Sequence, residues 1–274
     1  MVQTELLTLW IAIGLYVAAG ILAAAGLVFK KEGALAWGVR VAWPGLIIQG
    51  LSLLVRWVRV GHGPYFSLYE SLSSHVWIGL LIFLGLVYRW EKLRAAAAFV
   101  LPISFLLMGW VLLSDPEARP LPPTYNTLWL VIHILFAKVF FGSLLVALGL
   151  ALLFLVRESS WGSTIPLPAS LPPQEQLDDL SYRFVAFSFV FDTLMIIAGA
   201  IWAQEAWGRY WGWSDLEIWS LITWLLLGLY LHLRITFRFK GRRSAGVLIV
   251  VFAVALVTFF GLPFVSETIH QGLE

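Results

Sequence analysis

The chain carries 15 tryptophans in 274 residues, and five of them fall together as Trp202, Trp207, Trp211, Trp213 and Trp219. Gly208 and Gly212 sit among them, and Gln204, Glu205, Arg209, Asp215 and Glu217 are interleaved. Flat indoles with glycines for close backbone approach make a surface for a large planar ligand, or a layer at the headgroup level of a bilayer. An aromatic belt explains roughly two of these residues. Five that alternate with charges and glycines favour the planar ligand. The second set that could do chemistry is the histidines: His62, His75, His133, His232 and His270. Neutral imidazole is the commonest metal ligand. The absence of cysteine removes disulfides, thiolate ligation and thiol catalysis by the chain itself.

The solvent for these groups follows from composition. Hydrophobic residues make up 60% of the chain and charged residues only 12%, with a mean hydropathy of +0.87. Soluble domains carry about 25% charge, so the fold class is all-α, a polytopic helical membrane bundle forming one domain over 1–274. A net charge of +2 gives no case for nucleic acid. Segments of about 20 apolar residues can span the hydrocarbon. Eight are expected, near 6–28, 42–60, 71–89, 95–114, 127–155, 183–203, 217–236 and 245–264. The first is too long for a signal-peptide core and lacks a small-residue cleavage site, so it reads as a retained helix. Pro44 fits the first turn of the second span, and Pro102 should kink the fourth.

Of the lysines and arginines, 13 fall on one set of alternate loops (Lys30, Lys31, Arg40, Arg89, Lys92, Arg94, Arg157, Arg183, Arg234, Arg238, Lys240, Arg242 and Arg243). Four fall on the other set (Arg56, Arg59, Arg119 and Arg209), and Lys138 lies within a span. By the positive-inside rule both termini, the 61–70 and 115–126 loops and the tryptophan segment 199–224 are external. The stretch from Glu158 to Leu180 becomes a cytoplasmic loop.

A lone intramembrane histidine is ordinarily a packed, hydrogen-bonded residue, so placement decides. His62 and His270 are external, His75 is near the outer start of the third span, and His133 is roughly 9 Å below the outer end of the fifth. His232 is roughly 22 Å down the seventh span, near its cytoplasmic end. Two axial ligands of one iron need nitrogens about 4 Å apart, twice a metal–nitrogen bond. His133 and His232 therefore belong to separate sites if both bind iron. A planar aromatic platform, external histidines and no cysteine together point to haem with bis-histidine ligation. Chlorophyll or quinone would also lie on indoles, without needing an external histidine pair. Haem propionates pair naturally with arginine, and Arg56, Arg59 and Arg209 are the external candidates.

The segment GAIWAQEAWGRYWGWSDLEIWSLITW, Gly199 to Trp224, resembles the WWD signature of membrane haem-handling proteins in cytochrome c maturation. GHGPYFSLYES (Gly61–Ser71), LDDLSYR (Leu177–Arg183) and YLHLR (Tyr230–Arg234) are similar to the CcsA/ResC subunit of the System II cytochrome c synthase. The tryptophan motif alone is shared with CcmC and CcmF proteins; the other segments carry the System II resemblance.

That resemblance implies a cytochrome c haem lyase subunit in a bacterial, archaeal or thylakoid membrane, with its active site on the outer or lumenal face. It would hold haem b, as substrate and bound ligand, for thioether attachment to apocytochrome Cys-x-x-Cys-His motifs. His133 and His270 would be the external iron ligands beside Trp202, Trp207, Trp211, Trp213 and Trp219. His232 would be an inner ligand whose counterpart comes from a CcsB/ResB-type partner. The family reads Trp-x-Trp-Asp-Pro-x-Glu, whereas Ser214 and Asp215 follow Trp213 here; Asp215 could substitute, or Ser214 could cap the next helix with Glu217. His75 has no place in the family pattern, as packing or a spare ligand. A haem exporter of the CcmC type, forming no bond, is the competing class. An ion or proton transporter using Lys138 is weaker, because Lys138 and His133 do not share a helix face.

Overall fold

The computed structural model describes residues 1–117, 121–159 and 171–262. Every long element in it is a helix. In chain order they are α1 (Val2–Val28), α2 (Glu32–Val60), α3 (Leu68–Arg89), α4 (Ala97–Leu113), α5 (Leu128–Glu158), α6 (Gln174–Trp207), α7 (Asp215–Ile235) and α8 (Arg242–Leu256). A short 3₁₀ segment, Glu91–Ala96, leads into α4, and a π turn, Val257–Gly261, prolongs α8. All eight expected spans are present, and all are long and apolar enough to cross a membrane. In hydrocarbon the helix is the form that satisfies every backbone N–H and C=O within one segment.

Two boundaries differ from expectation. α2 begins ten residues early, so Pro44 lies inside the helix rather than in its first turn. The neighbours of the membrane helix absorb the missing N–H, and α1 packs closely here: a Cβ on Gly38 would lie 2.9 Å from the Ala19 carbonyl, and one on Gly45 would lie 2.8 Å from the Tyr16 ring. α6 begins at Gln174, so the last part of the expected Glu158–Leu180 loop is helical. Its 34 residues reach roughly 51 Å, well beyond a hydrocarbon core of about 30 Å. Leu177 and Ser181 are buried, which holds that extension against the bundle.

α5 is the central and most enclosed helix. It runs antiparallel to α6, and three side chains cross between them: Ser181 Oγ donates to the Ala147 carbonyl at 3.0 Å, Ser188 Oγ to Phe140 at 3.2 Å, and His133 Nδ1 to Met195 at 2.8 Å. Along each helix these rungs are seven residues apart, the repeat that keeps one seam facing a partner helix. On its other side α5 meets α3 at a glycine crossing, where a Cβ on Gly142 would lie 2.9 Å from the Gly79 Cα. Small residues of this kind let membrane helices approach.

The N-terminal ends of α1 and α3 and the C-terminal end of α2 are joined by a buried ionic cluster. Arg56 donates to Glu5 at 3.0 Å, to Glu70 at 2.7 Å and to the Pro116 carbonyl at 2.7 Å. Weaker contacts reach Ser67 and the Glu117 carbonyl, and its guanidinium covers the Tyr69 ring at 4.7 Å. Arg59 donates to the other Glu5 oxygen. Glu70 also accepts from the backbone of Phe66 and Ser67, closing a capping box at the start of α3. The guanidinium of Arg56, expected at an open surface facing a propionate, is thus enclosed and occupied by two carboxylates of its own chain. Removing one partner from a buried ion pair costs about 3–5 kcal/mol because the rest is left uncompensated. Arg56→Leu should therefore lower the unfolding free energy in detergent by about that much, measured by tryptophan fluorescence. Arg59→Leu, which loses only Glu5 at the cluster's edge, should cost distinctly less.

Candidate functional site

His133 is the sixth residue of α5. Its Nδ1–H donates to the Met195 carbonyl, which fixes the tautomer and leaves the Nε2 lone pair free. The ring is stacked on Trp202, centroid to centroid 6.2 Å at 25°. Trp202 is buried and its indole N–H donates to the Thr124 carbonyl at 2.9 Å. Gly199 makes room for the imidazole, since a Cβ there would lie 2.7 Å from His133 Nδ1. In front of His133 is a narrow cleft of about 70 Å³, lined also by Gly199, Trp202, Trp207, Trp211, Glu217 and Phe259. The Trp211 indole N–H is buried without a hydrogen-bond partner among the described residues.

The tryptophan segment is held by local bonds. α6 stops at Gly208 in the left-handed conformation. Ser214 caps α7, accepting from the Glu217 N–H, while the Glu217 carboxylate accepts from Ser214 N at 2.7 Å and Gly212 N at 3.0 Å. Of the two roles open to the Ser214–Asp215 pair, the structure takes the capping box. Trp213 adopts a positive φ of 60° and is exposed. Arg209 is exposed at the rim, its guanidinium lying so close over Gly212 that a Cβ there would meet it at 2.7 Å.

The structure thus brings together His133, Trp202, Trp207 and Trp211. Trp213 stands outside the cleft against Trp211, 5.9 Å between centroids, and Trp219 lies along α7, away from the lining. His270 lies outside the described residues. His62 is separated from His133 by a chain of rings: His62 to Phe66 at 5.9 Å, Phe66 to Tyr125 at 5.2 Å, Tyr125 to Trp202 at 5.3 Å. Burial in this stack pushes the Tyr125 phenol up to about 12. The residues that sequence did not mark are Met195, Gly199, Tyr125 and Phe259. The only trace of them was the Gly199 that opens the tryptophan segment.

At the other end of α7, His232 is exposed on the bundle's outer surface. Its Nδ1 is 3.3 Å from Thr236 Oγ1, and its ring lies 5.5 Å from Phe237. It is twelve residues beyond Ser220 of the His133 cleft, roughly 18 Å along the helix axis, so the two imidazoles belong to separate places. Beside it the LDDLSYR and YLHLR segments meet. Arg234 pairs with Asp178 at 2.6 Å and covers the Tyr182 ring at 5.1 Å, and Asp178 accepts from Gly241 N.

Residues 65–270 match the family model described as cytochrome C assembly protein. The chain is 33% identical to the cytochrome c biogenesis protein CcsA of Guillardia theta, over 89% of this chain and 88% of that protein. It is 33% identical to CcsA of Prochlorococcus marinus (strain AS9601), over 89% and 86%, and 36% identical to CcsA of Synechococcus sp. (strain CC9902), over 80% and 81%. Among solved structures it is similar to the cytochrome c heme lyase CcmF, with a TM-score of 0.71 at 18% identity, covering 94% of this chain and 46% of that one. That likeness is one of fold.

The packing around His133 can be tested without a ligand. Gly199→Ala forces a methyl against the imidazole and should cost about 1–3 kcal/mol, the usual range for overpacking. It should also shift the His133 side-chain ¹⁵N resonances as the Met195 bond is lost. Ser214→Ala should cost about 1 kcal/mol through the lost cap and leave those resonances in place.

Proposed function

The chain belongs to the cytochrome c assembly protein family and acts in cytochrome c biogenesis, and we propose that it is the haem-holding subunit of a cytochrome c haem lyase. Haem b is its substrate. The observation that carries this reading is His133, an imidazole with Nδ1 tied to a backbone carbonyl and Nε2 free, stacked on Trp202 in a cleft walled by Trp207 and Trp211. That donor set suits iron in a flat macrocycle. The anchored imidazole keeps its ring oriented, the indoles receive the porphyrin face, and Glu217 holds the loop that carries them. His270 would supply the second iron ligand. Arg209, exposed beside Gly212, is the alternative partner for a haem carboxylate.

The cleft faces the outer side of the membrane, with both termini external, as the distribution of basic residues implies. Each thiol of an apocytochrome Cys-x-x-Cys-His motif adds across a haem vinyl, sulfur bonding one carbon and the proton ending on the other. The chain contributes position, and holding reactants in register lowers a barrier by up to about 7–11 kcal/mol in the best intramolecular cases. His232, exposed toward what surrounds the bundle, binds haem at an inner position with a second ligand from a CcsB/ResB-type partner.

His133→Ala and His270→Ala should each abolish cytochrome c maturation and regain part of it with added imidazole, which fills the opened coordination position. His62→Ala should not respond to imidazole. Rescue confined to His62→Ala would move the ligand role to the 61–70 loop. His232→Ala should reduce haem at the outer site in cells while exogenous haem still occupies it; full haem content in that variant would remove the inner site. Thioether-linked haem on a co-expressed apocytochrome separates a lyase from an exporter, which would deliver haem without the bond.

A further inference from the structure

Behind the His133 cleft lies a second pair of buried nitrogens. His75 is on α3, and its Nδ1–H donates to the Ser71 carbonyl at 2.7 Å. Its Nε2 is buried with no hydrogen-bond partner among the described residues. α3 and α5 run parallel past each other, with Gly79 against Gly142 and His75 beside Phe141. One turn outward from that crossing, the residue of α5 that matches His75 is Lys138, itself only 6% exposed. No hydrogen bond or ion pair of Lys138 is formed among the described residues. Glu70, at the same end of α3, already accepts from Arg56 and from the Phe66 and Ser67 backbone.

An unpaired ammonium inside a membrane bundle is costly, and such groups mark sites where something charged is received. The partition between this pair and the His133 cleft is Phe259. Its ring lies 6.3 Å from His75 and also lines the cleft. It stands on the π turn that prolongs α8, an irregularity that helices carry most often at functional sites.

We infer that Lys138, at the register position of α5 that faces His75, is a carboxylate-binding subsite behind Phe259 that takes a haem propionate. The inference rests on the haem reading of the His133 cleft. With no partner of its own among the described residues, the ammonium has its protons to give to a carboxylate oxygen, a charge-assisted pairing made in low dielectric. It also sets an orientation. The propionates of haem share one edge and the vinyls lie toward the opposite one. A propionate turned inward past Phe259 therefore leaves the vinyls at the mouth by Trp207 and Trp211, where thiols arrive.

The test compares haem with haem dimethyl ester, both carboxylates masked, binding to the full chain in lipid nanodiscs and followed through the Soret band. The wild-type chain should bind the ester at least about tenfold more weakly, the scale of one hydrogen bond to a charged group. Lys138→Met should bind haem as weakly as the ester while keeping the spectrum of histidine-ligated iron. Lys138→Arg should recover part of the difference. Equal wild-type affinities for haem and ester, with His133→Ala still abolishing ligation, would overturn the subsite and leave the haem reading intact. Discrimination that survives Lys138→Met and disappears in Arg209→Met would place the propionates at the rim and overturn it equally. Should Lys138→Met fail to fold, the wild-type ester comparison and Arg209→Met decide the matter. Wild-type chain that binds no haem through His133 would defeat the reading beneath the proposal, and the proposal with it.

Discussion

The seam between α5 and α6 is the constraint on which the rest of the molecule depends. In hydrocarbon, neither helix gains from hiding apolar surface from water, so specific contacts must set how they pair. Here the contacts are side chains reaching across to carbonyls at a spacing of seven residues: Ser181 to Ala147, Ser188 to Phe140, His133 to Met195. A helix slipped by one residue along the other would break all three rungs. The outermost rung is the one whose side chain has chemistry left over. His133 spends Nδ1 on the seam and presents Nε2 to the cleft, so register and ligand orientation are set by one hydrogen bond. Trp202 continues the same seam outward, its indole donating to Thr124 on the loop that precedes α5.

A second fixed point stands where the N-terminal ends of α1 and α3 meet the C-terminal end of α2. Glu5, Arg56 and Glu70 are all buried, and desolvating three charges is costly unless every lone pair and proton is used. They are used: Arg56 also meets the Pro116 carbonyl, and Glu70 meets two backbone N–H groups. The loop between α2 and α3 is thereby pinned at Ser67 and Glu70, and Tyr65 and Phe66 are pressed toward Tyr125 and Trp202. The ionic cluster and the aromatic cleft are mechanically continuous, although no charge of the cluster enters the cleft.

What the sequence made legible was periodic or local. Eight apolar stretches of spanning length gave eight helices, and Ser214 with Glu217 three residues on gave a capping box. The placement of His133 near the outer end of its helix followed from counting residues. What it hid was pairing over distance. Arg56 reads as a free external cation because Glu5, its partner, is 51 residues away and one glutamate among apolar neighbours announces nothing. The five tryptophans read as one surface; Trp202, Trp207 and Trp211 line the cleft, while Trp213 is exposed at a left-handed turn. Pro44 read as a helix start, because a soluble helix would break there while a membrane helix packed on α1 does not. The early start of α6 was masked by Pro172 and Pro173 just before it and by the acids Glu175, Asp178 and Asp179 in its first turns.

The two histidines that the family resemblance sets apart differ in how much of their surroundings this chain supplies. His133 has its back anchored, its face stacked and its glycine clearance built in, so a ligand meets an imidazole that loses little further freedom on binding. That preorganisation raises affinity by removing ordering cost. His232 has only the neighbouring Thr236 and Phe237, and its ring is open to whatever lies beside the bundle. An imidazole of that kind holds iron firmly only when another protein brings the opposing ligand and closes the space. The two positions thus differ in preorganisation, and the packing of α7 carries the difference: its N-terminal end is braced by the capping box and the cleft, its C-terminal end by Asp178 and Arg234 on the face away from His232.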